Sequence, residues 1–135
     1  MGTLVLIADD DRDIVRFVAL NLRLEGFEVV VADNGQDALD KALDVRPSLI
    51  LLDTMMPRMD GYEVCSRFRD ERPDSQVPVI MLTAKSMEAD RAMAFTAGAD
   101  DWVTKPFDPA DLVSRVKDHL RAREVALAGQ RHASR

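Results

Sequence analysis

Hydrophobic residues occur along the chain in short unbroken runs, and each run is followed by a segment in which they recur every three or four positions. The runs predict five β-strands, at residues 4–8, 27–31, 49–52, 78–82 and 102–104. No polar residue interrupts the third run, residues 49–52, so this strand is expected to be a central strand buried on both faces of a sheet. Five strand–helix alternations without a repeat or internal linker indicate one α/β domain with a parallel sheet. Right-handed crossovers would place helices on both faces of that sheet.

The predicted helices differ in how well their hydrophobic faces would anchor them. The first ends at Gly26, and the fifth has Asp108 as its N-cap and Pro109 as its first residue. The fourth has few large residues and is therefore expected to move most easily. Its hydrophobic face consists of Ala89, Ala92, Met93 and Ala97. Toward the C-terminus the pattern fades, which divides the chain into a domain at residues 1–122 and a tail or linker stub at residues 123–135.

Composition and charge narrow the possible functions. The 135 residues carry a net charge of −6, which argues against direct nucleic-acid binding because phosphates would be repelled. The single cysteine, Cys65, excludes an intrachain disulfide and a cysteine-based zinc site. His119 and His132 are far apart in the sequence and are interpreted as solvated or packing residues. No hydrophobic run is long enough for a membrane span and no basic signal-peptide start is present, so a cytoplasmic protein is expected.

Polar residues are concentrated where the predicted strands end. Asp9 and Asp10 follow the first strand, Asp53 the third, Thr83 the fourth and Lys105 the fifth. The carboxyl ends of parallel strands share one edge of a sheet, and open α/β sheets bind their ligands there. Each residue alone is more often a solvated or capping residue, but all five at strand ends are hard to explain by chance. We therefore expect one site at this edge.

The five side chains define the chemistry expected at this edge. Three carboxylates at close range repel one another, and a divalent cation would offset that repulsion. A few oxygen ligands without histidine or thiolate favour Mg²⁺. Lys105 would supply positive charge and Thr83 a hydrogen bond to a phosphoryl group. A carboxylate opposite them can itself be the nucleophile, which would form an aspartyl phosphate.

Four motifs carry these residues. They are Asp9-Asp10-Asp11 after Leu-Ile-Ala, Leu-Leu-Asp53-Thr-Met-Met-Pro57-Arg-Met-Asp-Gly61, Leu-Thr83-Ala84, and Gly98-Ala-Asp-Asp-Trp102-Val-Thr-Lys105-Pro106-Phe107. As a set they resemble the receiver domain of two-component response regulators, and the resemblance covers nearly the whole chain. It implies a flavodoxin-like fold, a doubly wound five-stranded parallel sheet of order 2-1-3-4-5 flanked by five helices. It also implies a cis Lys105–Pro106 peptide bond.

The resemblance implies a role for each site residue. Asp53 would accept a phosphoryl group from a histidine kinase, a phosphotransfer protein or a small donor, in a signalling domain rather than an enzyme. Lys105 and Thr83 would contact the phosphoryl oxygens. Met55 and Lys85 flank the path of an attacking water and would tune the lifetime of the phosphate. The Mg²⁺ ligands would be Asp10, Asp53, the backbone carbonyl of Met55 and, directly or through a water, Asp9.

Phosphorylation is expected to act as a switch. The added negative charge would draw Thr83 toward it, and Trp102, at the position of the family's switch aromatic, would fill the space left behind. The face formed by the fourth helix, fifth strand and fifth helix would then change. Its charges indicate either a solvated face with weak pairs or, as the resemblance to OmpR/PhoB-type receivers implies, the interface of a homodimer. These residues are Arg91, Asp100, Asp101, Asp111, Arg115 and Arg121.

Three alternatives fit the same fold less well. A Mg²⁺-dependent aspartyl-phosphate hydrolase would need a second acid two residues after Asp53, where this chain has Met55. A flavodoxin-like cofactor binder would need a Ser/Thr/Gly loop after the first strand, where three aspartates would repel phosphate. A receiver-like interaction module that is not phosphorylated would lack one or more of the five residues. The output stays open between a single-domain regulator and the receiver half of a longer protein.

Overall fold

A computed structural model of the chain describes residues 3–84 and 88–133, with side chains through residue 129. The strands are β1 (Leu4–Ala8), β2 (Glu28–Ala32), β3 (Leu49–Asp53), β4 (Val79–Thr83) and β5 (Asp101–Thr104). The helices are α1 (Arg12–Leu24), α2 (Gly35–Asp44), α3 (Gly61–Glu71), α4 (Glu88–Thr96) and α5 (Pro109–Ala133). All strands are parallel, in the order β2-β1-β3-β4-β5. This confirms the predicted doubly wound, flavodoxin-like sheet.

The core forms two layers because successive strand residues point to opposite faces of the sheet. On one face, residues such as Leu6, Ile50 and Met81 pack against α2, α3 and α4. On the other, residues such as Ile7 and Leu51 pack against α1 and α5. Every residue of β3 is buried, as its unbroken hydrophobic run predicts, and so is every residue of β4. The middle strand β3 and its neighbour β4 therefore form a fully buried base for the carboxyl edge.

The connections between elements begin and end as the turn residues dictate. Asp11, Asn34 and Asp60 are the N-caps of α1, α2 and α3, and each side chain accepts a backbone N–H of the first turn. Gly26 ends α1 with a φ of 91°, a conformation that favours glycine. The next amide, that of Phe27, donates to the Leu22 carbonyl. Phe27 thus completes the helix end, and β2 begins one residue later than predicted.

Helix α4 differs from the prediction in the face that it buries. Ala94 is its buried residue, whereas Ala89, Ala92 and Met93 are exposed and Ala97, just beyond the helix, is half-buried. Small residues occur all around this helix, so its sequence does not single out one face. The expectation of an inward face was therefore wrong for Ala89, Ala92 and Met93, whereas Ala97 does pack against the core. The expectation that α4 is weakly anchored agrees with its single buried alanine.

Helix α5 continues well beyond the point where its hydrophobic stripe fades. Asp108 accepts a hydrogen bond from the amide of Ala110, and Pro109 is the first helical residue, as predicted. The helix extends to Ala133, through most of the segment interpreted as a tail or linker stub. The proposed boundary at residue 122 stays a prediction. Within residues 3–84 and 88–133, none of the helices combines the length and hydrophobicity needed for a membrane span.

Candidate functional site

The parallel sheet brings the predicted site residues to one edge. Asp53 and Thr83 are the last residues of β3 and β4, and Asp9 and Lys105 directly follow β1 and β5. The Lys105 Nζ atom lies 2.8 Å from Asp9 Oδ2 and 3.3 Å from Asp53 Oδ1. Lys105 thus meets two residues more than fifty positions away in the sequence, because parallel pairing brings the strand ends to the same edge.

Three carboxylates form the acidic part of this cluster. Ligand oxygens of Asp9, Asp10 and Asp53 all lie within 4.8 Å of one another. Asp9 and Asp53 are buried, at 1% and 5% exposure, whereas Asp10 is exposed to solvent. A compact set of hard oxygen donors with one solvent-facing side suits Mg²⁺, which retains several waters when protein-bound. The residues present therefore fit the predicted metal.

The three consecutive aspartates have different tasks. Asp9 Oδ1 accepts a hydrogen bond from the amide of Asp11, and its Oδ2 accepts one from Lys105. Asp11 turns away from the site and caps α1 by accepting the amides of Asp13 and Ile14. The backbone turn thus orients Asp9 inward and leaves the side chain of Asp10 free to face solvent.

Burial and charge perturb the ionisation of the cluster. Burial, together with the negative charge of Asp9, raises the pKa of Asp53 from 3.8 to about 6, although Lys105 and a backbone hydrogen bond from Met55 act in the opposite direction. Burial disfavours the charged form of Lys105, but its hydrogen bond to Asp9 and the charges of both aspartates raise its pKa overall. The site therefore holds a lysine that stays protonated and an acid that is costly to ionise without a further cation.

The loop after β3 packs tightly against the phosphoacceptor candidate. The backbone of Met55 hydrogen-bonds to the Asp53 carboxylate, while the Met55 side chain is exposed. A Cβ built on Gly61 would lie 2.2 Å from the Asp53 carbonyl oxygen, so only glycine fits there. The use of the Met55 carbonyl as a metal ligand stays a prediction. Lys85, the other residue expected to tune phosphate lifetime, lies outside the described residues.

Thr83 is fully buried behind the cluster and is bonded to a residue that sequence reasoning missed. The hydroxyl of Thr54 donates to Thr83 Oγ1 at 3.2 Å, and the Thr83 carbonyl accepts the amide of Lys105 at 2.7 Å. Thr54 is itself 1% exposed. A hydroxyl directly after a buried strand, next to Asp53, was the signal that could have identified it.

Trp102 lies in β5 next to the strand that ends at Thr83. Its side chain is half-buried and packs against the core layer that contains α4. The indole N–H is buried, and no hydrogen-bond acceptor for it occurs among the described residues. The Lys105–Pro106 bond that follows is cis, as the resemblance implies.

The charged residues predicted to form a dimer face are paired within this chain. Arg115 contacts both Asp101 and Asp111, at 3.0 and 3.1 Å. His119 hydrogen-bonds to Asp101 at 2.9 Å. Burial alone would raise the pKa of Asp101, but the hydrogen bonds from His119 and the Trp102 amide and the charge of Arg115 lower it overall. The remaining contacts are Asp100 with Arg69, Arg121 with Asp118, and Arg91 over the Phe95 ring. Asp100 therefore pairs with α3, whereas the prediction placed it on the face formed by α4, β5 and α5.

Comparison with known proteins agrees with this geometry. Residues 5–117 match the response regulator receiver domain family. The chain is 42% identical over 126 residues to the alkaline phosphatase synthesis transcriptional regulatory protein PhoP of Bacillus subtilis (strain 168). That match includes 93% of this chain and 52% of PhoP, so the chain spans about half the length of this curated relative.

Solved structures of receivers have the same fold. A CheY-like response regulator receiver domain protein of Methanospirillum hungatei JF-1 is 30% identical with a TM-score of 0.87, covering 93% of this chain and 99% of that one. The BeF3-activated receiver domain of DrrB, a Thermotoga maritima OmpR/PhoB homologue, is 36% identical with a TM-score of 0.81, covering 90% and 99%. By its sequence, its sheet topology and its family match, the chain belongs to the response regulator receiver domains of two-component systems.

Proposed function

We propose that Asp53 accepts a phosphoryl group in the presence of Mg²⁺ and that the resulting charge switches the α4–β5–α5 face. The observation that carries this proposal is the Asp53 carboxylate, buried beside Asp9 and 3.3 Å from the Lys105 ammonium. A bound Mg²⁺, held by Asp9, Asp10 and Asp53, would neutralise charge on the carboxylates and the incoming phosphoryl oxygens. The chain would then be a phosphoacceptor signalling domain that assists its own phosphotransfer and dephosphorylation rather than an enzyme.

The transfer step uses the ionised form of Asp53. One carboxylate oxygen attacks phosphorus and forms the P–O bond of an acyl phosphate while the P–N bond of a donor phosphohistidine breaks. The electron pair of that bond returns to the imidazole nitrogen. The ring leaves as neutral imidazole when its other nitrogen carries a proton, and otherwise takes up one proton from water. Lys105 stays protonated and pairs with the phosphoryl oxygens, and the Thr83 hydroxyl donates a hydrogen bond to one of them.

A hydrophobic groove beside Lys105 favours a protein, rather than a small molecule alone, as the donor of the phosphoryl group. It is lined by Ile14, Phe17, Lys105, Pro106 and Phe107, and Phe17 is 49% exposed. Because a donor must bring its phosphoryl group to Asp53 next to Lys105, this groove is suited to dock the phosphohistidine domain of a kinase or phosphotransfer protein, in the cytoplasm. Phe17→Asp is then expected to slow transfer from such a protein and to leave labelling by a small phosphodonor unchanged.

Intact mass after incubation with a small phosphodonor tests the proposal. We expect one added phosphoryl group that depends on Mg²⁺, is absent in Asp53→Asn and persists in the control Asp44→Asn, whose side chain is exposed. Absence of labelling in the parent protein, under conditions that label a known receiver, would favour an interaction module that is not phosphorylated.

Homodimerisation through the α4–β5–α5 face is the second part of the proposed switch. The ion pairs of Arg115 with Asp101 and Asp111 within one chain would have to be exchanged for pairs with a second copy. Analytical ultracentrifugation with and without a phosphoryl mimic tests this. A monomer at high concentration in both conditions would rule the dimer out and leave a heterologous partner as the reader of this face.

A further inference from the structure

Thr54 links the candidate switch residue Thr83 to helix α3. Its hydroxyl donates to Thr83 Oγ1 at 3.2 Å, and its backbone carbonyl accepts the amide of Gly61, the first residue of α3, at 3.0 Å. Both threonines are at most 1% exposed, so neither hydroxyl can turn to bulk water. Any movement of Thr83 therefore leaves the Thr54 hydroxyl in need of another partner.

The side chain of Tyr62, the next residue of α3, offers that partner. Its hydroxyl is buried and makes no hydrogen bond with any residue in 3–84 or 88–133. The Thr54 side chain lies beside it, although the two groups do not meet hydrogen-bond geometry in this state. An unpaired buried hydroxyl is costly, so this arrangement leaves an interaction that the resting state does not use.

We propose that Thr54 exchanges hydrogen-bond partners during the switch, from Thr83 in the resting state to Tyr62 in the phosphorylated state. The inference rests on the proposed function, because Thr83 must turn toward a phosphoryl group on Asp53. Tyr62 lines a groove between α3 and α4 together with Ala89, Ala92 and Met93. The exchange would therefore carry the signal to the α3–α4 groove by a route separate from Trp102. Thr54 and Tyr62 are positioning residues in this scheme and do not contact the phosphoryl group.

The exchange predicts different effects for substitution of the two side chains. Thr54→Val removes a bond from both states, so the balance between them changes little. Tyr62→Phe removes a bond from the phosphorylated state alone and keeps the ring that fills the same space. A typical net hydrogen bond of about 1 kcal/mol corresponds to about five-fold in a binding constant. We expect Tyr62→Phe to weaken binding of a phosphoryl mimic by about that factor.

Trp102, the single tryptophan, provides the readout. Its fluorescence would be titrated with beryllofluoride in the presence of Mg²⁺, on the full chain and on Tyr62→Phe, Thr54→Val, Thr54→Ser and the Tyr62→Phe/Thr54→Val double variant. We expect Thr54→Ser to behave like the parent, because it retains the hydroxyl. Tyr62→Phe should weaken binding in the parent and have no further effect once Thr54 is valine.

The outcomes separate this inference from the proposed function. If Tyr62→Phe weakens binding of the mimic equally in the parent and in Thr54→Val, or in neither, the partner exchange is overturned while the receiver function stands. A parent protein that does not bind the mimic, or binds it as Asp53→Asn does, would overturn both. Thermal denaturation without the mimic is the control for folding, and Tyr62→Phe should be at least as stable as the parent because it removes an unpaired buried hydroxyl.

Discussion

The carboxyl edge of the sheet and helix α4 follow one another in the chain, but they are held in place in opposite ways. At the edge, Asp9 and Asp53 are buried and both contact Lys105. The strands β3 and β4, which end at this edge, have every residue buried. In α4, Ala94 is the buried residue among the nine from Glu88 to Thr96. The exposed Met93 and Phe95 show how much hydrophobic surface this helix leaves in solvent.

This difference separates the place where a signal would enter from the place where it would be read. The edge concentrates like charge in a rigid frame, so one more charge there changes the local free energy strongly. Helix α4 has little packing to lose, so a small change in free energy can move it. The proposed switch would use both properties, which lie on either side of the β4–α4 connection.

Truncation of one hydrophobic side chain in each region should give the largest difference in the free energy of unfolding. Leu51 in β3 is fully buried, so Leu51→Ala should lower the free energy of unfolding by about 2–5 kcal/mol. Met93 in α4 is 51% exposed, so Met93→Ala should change it by less than about 0.5 kcal/mol. Urea denaturation of both variants measures the contrast. Similar losses in the two variants would contradict a loosely anchored α4.

Removal of the Lys105 ammonium should have the next largest effect on the free energy of unfolding. Lys105→Met leaves Asp9 and Asp53 buried without their cation and should cost on the order of 2 kcal/mol, less than the loss of a partner from a fully buried pair because the edge is open to solvent. Added Mg²⁺ should restore much of this loss. The control Lys117→Met removes an exposed pair with Glu25 and should cost less than about 1 kcal/mol. Equal losses in the two variants would argue against charge strain at the edge.

Asp53→Asn should change the free energy of unfolding in the opposite direction, and this change should depend on pH. The raised pKa of Asp53 means that the folded state binds its proton more tightly than the unfolded state. The stability from this proton is fully present below the ordinary value of 3.8 and is lost as pH rises through about 6. Without Mg²⁺, Asp53→Asn should therefore be more stable than the parent above about pH 6, by on the order of 1–3 kcal/mol.

Denaturation across this pH range, in the presence of a chelator, measures that difference. It should shrink toward low pH and be absent in Asp44→Asn, whose side chain is exposed. Added Mg²⁺ should stabilise the parent more than Asp53→Asn. A stability difference that does not depend on pH would contradict a carboxylate that is costly to ionise.

The buried strands and the site residues at their carboxyl ends could be predicted from the sequence. The unbroken run at residues 49–52 fixes a buried strand, and parallel pairing then brings Asp9, Asp53, Thr83 and Lys105 together whatever the details of the loops. The sheet order and the cis bond before Pro106 came from the resemblance to a family.

Other features depend on contacts that no local pattern encodes. The hydrogen bond between Thr54 and Thr83 joins the residue after β3 to the last residue of β4, and the ion pair of Asp100 with Arg69 joins a loop to α3. The extension of α5 was missed because its hydrophobic stripe fades, whereas its Ala, Arg, Glu and Leu residues are still strong helix formers. The inward face of α4 could not be chosen because alanines surround the helix.

Hydrogen exchange of the full chain, with and without beryllofluoride and Mg²⁺, tests most directly whether a charge at the rigid edge is read at the loosely held helix. We predict that the amides of β3 stay protected in both conditions, while those of α4 and β5 change their exchange rates on addition of the mimic and do not change in Asp53→Asn. Unchanged exchange in α4 and β5 of a parent protein that binds the mimic would contradict the account.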